Sequence, residues 1–266
     1  MASSAGHVTF VGHSTVLIEL SGVRLLTDPL LRPRAIHLRR HAAPPDPAVS
    51  RGLDAVLVSH FHHDHLDLPT LRGLGPGARL IGPRGLARIV RRAGAADVTE
   101  LAAGESADVA GVRVAAVPAV HDGRRLKRGP AVDAVGFVAE AGGVRVYFAG
   151  DTDLFAGMEQ LAPVDLALIP IWGWGATLGE GHLDPARAAE ALARIRPRVA
   201  VPIHWGTFLP AGQHRRLAHL LERPARDFAR AAAGAAPEVD VRVLDPGQST
   251  AIPGPAASGA TSRDVP

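Results

Sequence analysis

Residues 54–67 read DAVLVSHFHHDHLD. Asp54 to Ser59 is a short, almost unbroken apolar run, as expected of a strand buried on both faces. It runs directly into His60, Phe61, His62, His63, Asp64 and His65. On an extended turn, alternate residues point the same way, so His60 and His62 can grip one ion. Asp64 and His65 then turn towards a second position beside it. Neutral imidazole and carboxylate are the ligands that Zn²⁺, Mn²⁺ or Fe²⁺ accept where thiolate is absent. A His-rich surface loop with adventitious metal affinity is the bland alternative, but a buried strand leading straight into this spacing favours a metal site.

Working outward, the same arrangement recurs. His121 follows AAVPAV, Asp151 follows VRVYFAG and His204 follows VAVPI, so each stands at the end of a strand-like run. In α/β sheets, ligands gather at the carboxyl ends of such strands. Taken singly, His121 or His204 reads as an ordinary loop histidine; together with residues 60–65 they read as one rim of ligands.

The remaining chain frames this rim. HVTFVG, STVLIEL and VRLLTD form an N-terminal meander, and RGLARIVRRAG reads as a helix stopped by Gly94. GVRVAAVPAV, DAVGFVAE, VRVYFAG, DLALIP, VAVPI and VDVRVL are further strands. Pro185 to Arg196 is a helix capped by Asp184, with Pro at its first position, and Arg215 to Ala233 is largely helical. The stretch from Arg32 to Arg40 reads as part of a long solvated basic loop, with covering the site or touching an acidic lipid surface as its alternative. From Ser249 the tail lacks periodicity, so the expectation is one layered α/β domain over 1–248 and a disordered tail over 249–266.

Composition narrows the function. The 266 residues are 47% hydrophobic and 21% charged, which excludes disorder and leaves ample material for a core. There is no Cys, so thiolate zinc sites, iron–sulfur clusters and thiol nucleophiles are excluded. The pI near 10.4 accompanies a net charge of only +3, because Lys127 and Tyr147 are the single Lys and Tyr and little titrates between His and Arg. Without a clustered basic face this speaks against nucleic acid as a partner. No run approaches the ~20 apolar residues of a membrane span, and no targeting segment is visible. The expectation is a cytoplasmic protein acting on a small-molecule substrate, with its oligomeric state left open.

The motifs GHSTVLIE (12–19), LLTDPLL (25–31), SHFHHDHLD (59–67), FAGDTD (148–153), GHLDPARAAEA (181–191) and PIHWGTF (202–208) follow in order. In this order the chain resembles the metallo-β-lactamase-fold hydrolases. It is most similar to the branch containing N-acyl-phosphatidylethanolamine-hydrolysing phospholipase D and L-ascorbate-6-phosphate lactonase. The resemblance implies a four-layer αββα sandwich and two divalent ions, Zn or Mn, with Fe also compatible. One ion would be held by His60, His62 and His121, the other by Asp64, His65 and His204, with Asp151 bridging. It implies hydrolysis by a hydroxide shared between the ions, which Asp64 would orient as well as bind. The substrate would be a phosphodiester-containing small molecule or lipid, the alternative being a sugar lactone. A non-catalytic metal-binding protein is the reading of another class, and the intact set of seven ligand positions argues against it.

His182 matches a position near the family's site and could assist proton transfer; equally, it could order the start of the helix at Pro185. His13 and Asp28 read as groups that fix ligands or loops. Trp172 and Trp174, in a Gly-rich loop after DLALIP, suggest a wall for an apolar or sugar-like group, with packing as the alternative. Arg124, with Arg125, could meet a phosphate or be a solvated turn.

Overall fold

A computed structural model describes residues 4–255 except 76 and 127. Two seven-stranded sheets face each other. The first runs, in spatial order, Ser249–Pro253, Ser4–Gly12, Thr15–Leu20, Val23–Thr27, Ala55–Leu57, Arg79–Gly82, Val98–Glu100. Its N-terminal meander is antiparallel and its later strands are parallel. The second runs Asp240–Val241, Val199–Ile203, Leu166–Pro170, Val144–Phe148, Asp133–Ala141, Val112–Asp122, Ser106–Val109.

The period-two side-chain alternation of strands explains the layering. Val16, Ile18, Leu25, Leu57 and Ile81 join the large core between the sheets, whereas Leu17, Leu26, Val56 and Leu80 join a second core on the outer face. That outer face is covered by the short helices Leu68–Leu74 and Leu86–Val90, through Leu71, Leu86 and Val90. Across the molecule, helices Pro185–Ile195 and Arg223–Ala235 cover the second sheet with Ala188, Leu192, Ile195, Phe228 and Ala232. The result is four layers, helix–sheet–sheet–helix. Asp184 caps helix Pro185–Ile195 by accepting from the Arg187 amide at 2.8 Å, and Arg196 ends it in the left-handed region.

Three expectations need correction. The segment 249–253 is a strand, not a disordered tail: it pairs antiparallel with Ser4–Gly12 and buries Ile252 completely. The open edge of the N-terminal strand offered unpaired amides and carbonyls, and one alternating apolar residue sufficed to dock the segment there. The rest of the expected tail, 256–266, lies outside the described residues. The basic stretch is not one long loop. Arg34–Ala35 and Leu38–Arg40 form a hairpin that pairs with Phe208–Pro210, and Ile36 and His37 at its turn reach the cavity described below. Finally, the strand expected at VDVRVL is confined to Asp240–Val241. Among the described residues, no helix is long and apolar enough to cross a membrane.

Candidate metal centre

The carboxyl ends of the strands Ala55–Leu57, Val112–Asp122, Val144–Phe148 and Val199–Ile203 converge on one edge of the sandwich. Residues 62–66 tighten into a turn, with the His65 and Leu66 amides both donating to the His62 carbonyl. Gly150 lies at φ 61°, and a Cβ there would sit 2.6 Å from Ser59 Cβ, so only glycine lets the Asp151 loop approach the histidine turn this closely.

Two groups of side chains result. His60 Nε2 and His121 Nε2 each lie 3.0 Å from His62 Nδ1. Beside them, His65 Nε2 is 3.2 Å from His204 Nε2, and Asp64 Oδ2 stands 3.8 and 3.9 Å from these two nitrogens. Asp151 lies between the groups. Its Oδ2 is 3.1 Å from His65 and 4.0 Å from His60, and its Oδ1 is 3.4 Å from His204. All seven sequence-predicted ligand positions are therefore brought together.

The outward-facing ring nitrogens explain why the inner ones converge. His121 Nδ1 donates to the Gly181 carbonyl at 2.9 Å and His204 Nδ1 to the Trp172 carbonyl at 2.5 Å. A neutral imidazole that donates through Nδ1 presents a lone pair at Nε2. Burial keeps both rings neutral, pushing His121 down to about 4 and His204 well below the usual imidazole range. Burial also lowers His60 and His62. His65 differs: burial would lower it, but Asp151 and Asp64 hold it well above its ordinary value, and its Nδ1 donates to Asp28 Oδ2 at 2.7 Å. Burial alone would raise Asp151 and Asp64. The imidazoles of His204 and His65 outweigh it for Asp151, and those of His65 and His13 do so for Asp64, leaving both carboxyls well below the usual range.

His60 Nε2, His62 Nδ1 and His121 Nε2 crowd towards one point at 3.0 Å, an arrangement that a cation held between them would satisfy. Asp151 Oδ1 is buried without a hydrogen-bond partner, which is costly for a carboxylate. Divalent ions accept imidazole and carboxylate, so the residues present fit such ions.

The surrounding residues sort themselves. Asp28 is fully buried, accepts from the Ser59 amide and hydroxyl, and anchors His65. His13 is buried with Nε2 3.0 Å from Asp64 Oδ2. Both therefore fix ligand-forming residues, as their motifs suggest. His182 Nε2 stands 3.5 Å from Asp151 Oδ2, and its Nδ1 lies 3.1 Å from the Gly179 and Glu180 carbonyls. Burial would lower its pKa, but the bond to Asp151 raises it instead. A cavity of about 450 Å³ opens over the centre, and Trp174, Arg124, His182, Ile36 and His37 are among its walls.

Two of the proposed substrate contacts change character. Trp172 is absent from this wall: its indole packs on Leu209, Leu217 and Leu220, donates to the Gly175 carbonyl at 3.2 Å and lines a separate hollow. Arg124 reaches the cavity, but its guanidinium is bound to both oxygens of Asp122, which it holds down at about 2. Arg125 turns inward to the carbonyls of Phe61 and Leu66. Nothing in the residue pattern signals that the Trp172 and Gly181 carbonyls orient His204 and His121, since backbone acceptors carry no residue signature. The Trp174 indole N–H, 3.0 Å from Asp64 Oδ2, was equally hidden.

Comparison with known proteins agrees with this geometry. Residues 23–205 match the family model described as a β-lactamase superfamily domain. A UPF0173 metal-dependent hydrolase of Methanopyrus kandleri is 33% identical over 91% of this chain and 98% of its own. An N-acyl-phosphatidylethanolamine-hydrolyzing phospholipase D of Caenorhabditis elegans is 34% identical over 75% of this chain and 64% of its own. In fold, the metallo hydrolase Igni18 of Ignicoccus hospitalis superposes with a TM-score of 0.71, covering 92% of this chain and 97% of that one at 24% identity. With a family model matched over residues 23–205 and a relative 33% identical over 91% of this chain, the chain belongs to the β-lactamase superfamily and is a metallo-β-lactamase-fold hydrolase.

Proposed function

We propose that the protein is a dinuclear metal-dependent hydrolase of phosphodiester-containing small molecules or lipids. His60, His62 and His121 would hold one ion and Asp64, His65 and His204 the other, with Asp151 between them. The observation that carries this reading is the convergence of five ring nitrogens and the Asp64 carboxylate around a buried Asp151 oxygen that has no hydrogen-bond partner. Divalent cations held by these residues would supply Lewis-acid activation of water at neutral pH.

The chain's own groups account for the rest. Asp28, Ser59 and the carbonyls of Gly181 and Trp172 hold the rings in one orientation, so the reacting geometry is set before substrate arrives. Asp64, held by His13, can fix the direction of attack as well as bind. His182 stands at the cavity side of Asp151, whose carboxylate raises its pKa above the ordinary imidazole value. It is therefore suited to give a proton to the departing oxygen through Nε2. The indole of Trp174 and the side chain of Ile36 give the cavity apolar wall for an organic group. The phosphodiester class is supported by the Caenorhabditis elegans relative, whose name states that activity.

The experiment is hydrolysis of bis-p-nitrophenyl phosphate and of a panel of sugar lactones by protein loaded with Zn²⁺ or Mn²⁺. Turnover of the phosphodiester that disappears with chelator and returns with metal supports the proposal. Turnover of lactones alone would replace the substrate class, and no turnover of either with both ions bound would favour a binding protein.

A further inference from the structure

Asp64 is held from two sides on one oxygen. His13 Nε2 and Trp174 Nε1 each lie 3.0 Å from Oδ2, the oxygen that faces His65 and His204. An indole N–H can only donate, and a bond from it to a carboxylate is charge-assisted, roughly twice as strong as a neutral one.

What holds the indole is equally specific. Its ring packs on Leu30, Ala35, Leu38 and Phe208, and the His37 ring meets it edge-on at 4.8 Å with the planes at 76°. Ala35, His37 and Leu38 belong to the hairpin 34–40, which pairs through Leu38–Arg40 with the strand Phe208–Pro210. At the hairpin turn, Ile36 lies at φ 50°, a region that β-branched residues rarely occupy, and is 69% exposed at the cavity. The hairpin thus holds a costly backbone conformation where it seats the indole against Asp64. A residue that only walled the cavity would need its ring and not its N–H.

We infer that Trp174 is a positioning residue for the Asp64–His65–His204 half of the centre, and that the hairpin 34–40 sets the Asp64 carboxylate through it. This rests on the reading of the centre as a metal site. The hairpin and the buried half then act as one unit, and a change at His37 is felt at Asp64 without touching it.

Trp174→Phe keeps a ring in the hairpin pocket and removes the donor. The probe is Zn²⁺ alone, titrated against a chromogenic chelator, with the melting temperature of metal-free protein measured in parallel. Two ions should still bind, but one should bind about 10–100-fold more weakly, the usual effect of losing an outer partner. The other ion's affinity and the metal-free melting temperature should stay at their wild-type values. His37→Ala should weaken the same ion by a smaller factor. Wild-type affinity for both ions in Trp174→Phe would overturn the inference while leaving the metal reading intact. An equal loss at both sites with a lowered melting temperature would show mere packing and would also overturn it. A wild-type protein that takes up no second ion would overturn the metal reading and this inference with it.

Discussion

The two halves of the centre are built differently. His60, His62 and His121 are all imidazoles, and their known outer supports are neutral: the Ser59 hydroxyl at 2.9 Å from His60 Nδ1 and the Gly181 carbonyl behind His121. His62 and His121 remain partly exposed. In the other half His65 and His204 are buried, and a carboxylate, Asp28, stands behind His65. Asp64, its acidic member, takes the two donors described above. Charge-assisted bonds hold geometry more firmly than neutral ones. The difference teaches that the half built on His65, His204 and Asp64 is the fixed reference of the centre and the three-imidazole half its adjustable side.

The strongest way to break this comparison is to remove what the halves share. Asp151→Ala should abolish the distinction by loosening both ions. Hydrolysis should fall by more than the ~100-fold that loss of an outer partner costs, with the fold retained by circular dichroism. Near-normal turnover in a metal-replete variant would show that Asp151 does not join the halves.

His182 belongs to neither half, so His182→Ala should leave two ions per chain and lower kcat by about 10²–10⁴-fold, the range for a positioned acid or base. If its work were only to order the turn before Pro185, the melting temperature would fall while kcat per folded molecule held. If it were a ligand, metal content would fall with activity.

The sharpest contrast comes from paired outer partners. Asp28→Asn removes the charge behind His65 and should weaken one ion about 10–100-fold. Ser59→Ala removes the neutral support of His60 and one of the donors to Asp28, and should cost less than tenfold at either site. Chelator competition checks both. Equal effects of the two substitutions would erase the proposed asymmetry.

Much of this was legible because it follows from alternation and strand ends. Leu25, Leu26, Ala55 and Val56 announce strands with two buried faces, and each ligand position comes at or just past an apolar run. Asp184 and Pro185 announce a helix start through a side-chain acceptor and a preset φ. What stayed hidden depends on long-range pairing. The segment 249–253 is strand only because Ser4–Gly12 leaves an edge open. Arg34–Ala35 and Leu38–Arg40 become a hairpin because Phe208–Pro210 lies beside them. Trp172 and Trp174 look equivalent in the Gly-rich loop, yet one turns to Leu217 and the other to Asp64, each seated by residues distant in sequence.

The proposed hydrolase needs two ions at this edge of the sandwich, one in each half. Anomalous diffraction from crystals grown with Zn²⁺, recorded on both sides of the zinc edge, tests it most directly. The account predicts two peaks per chain, one touching His60, His62 and His121 and one touching Asp64, His65 and His204, with Asp151 reaching both. A single peak, or none beside a fully ordered His65 and His204, would contradict it.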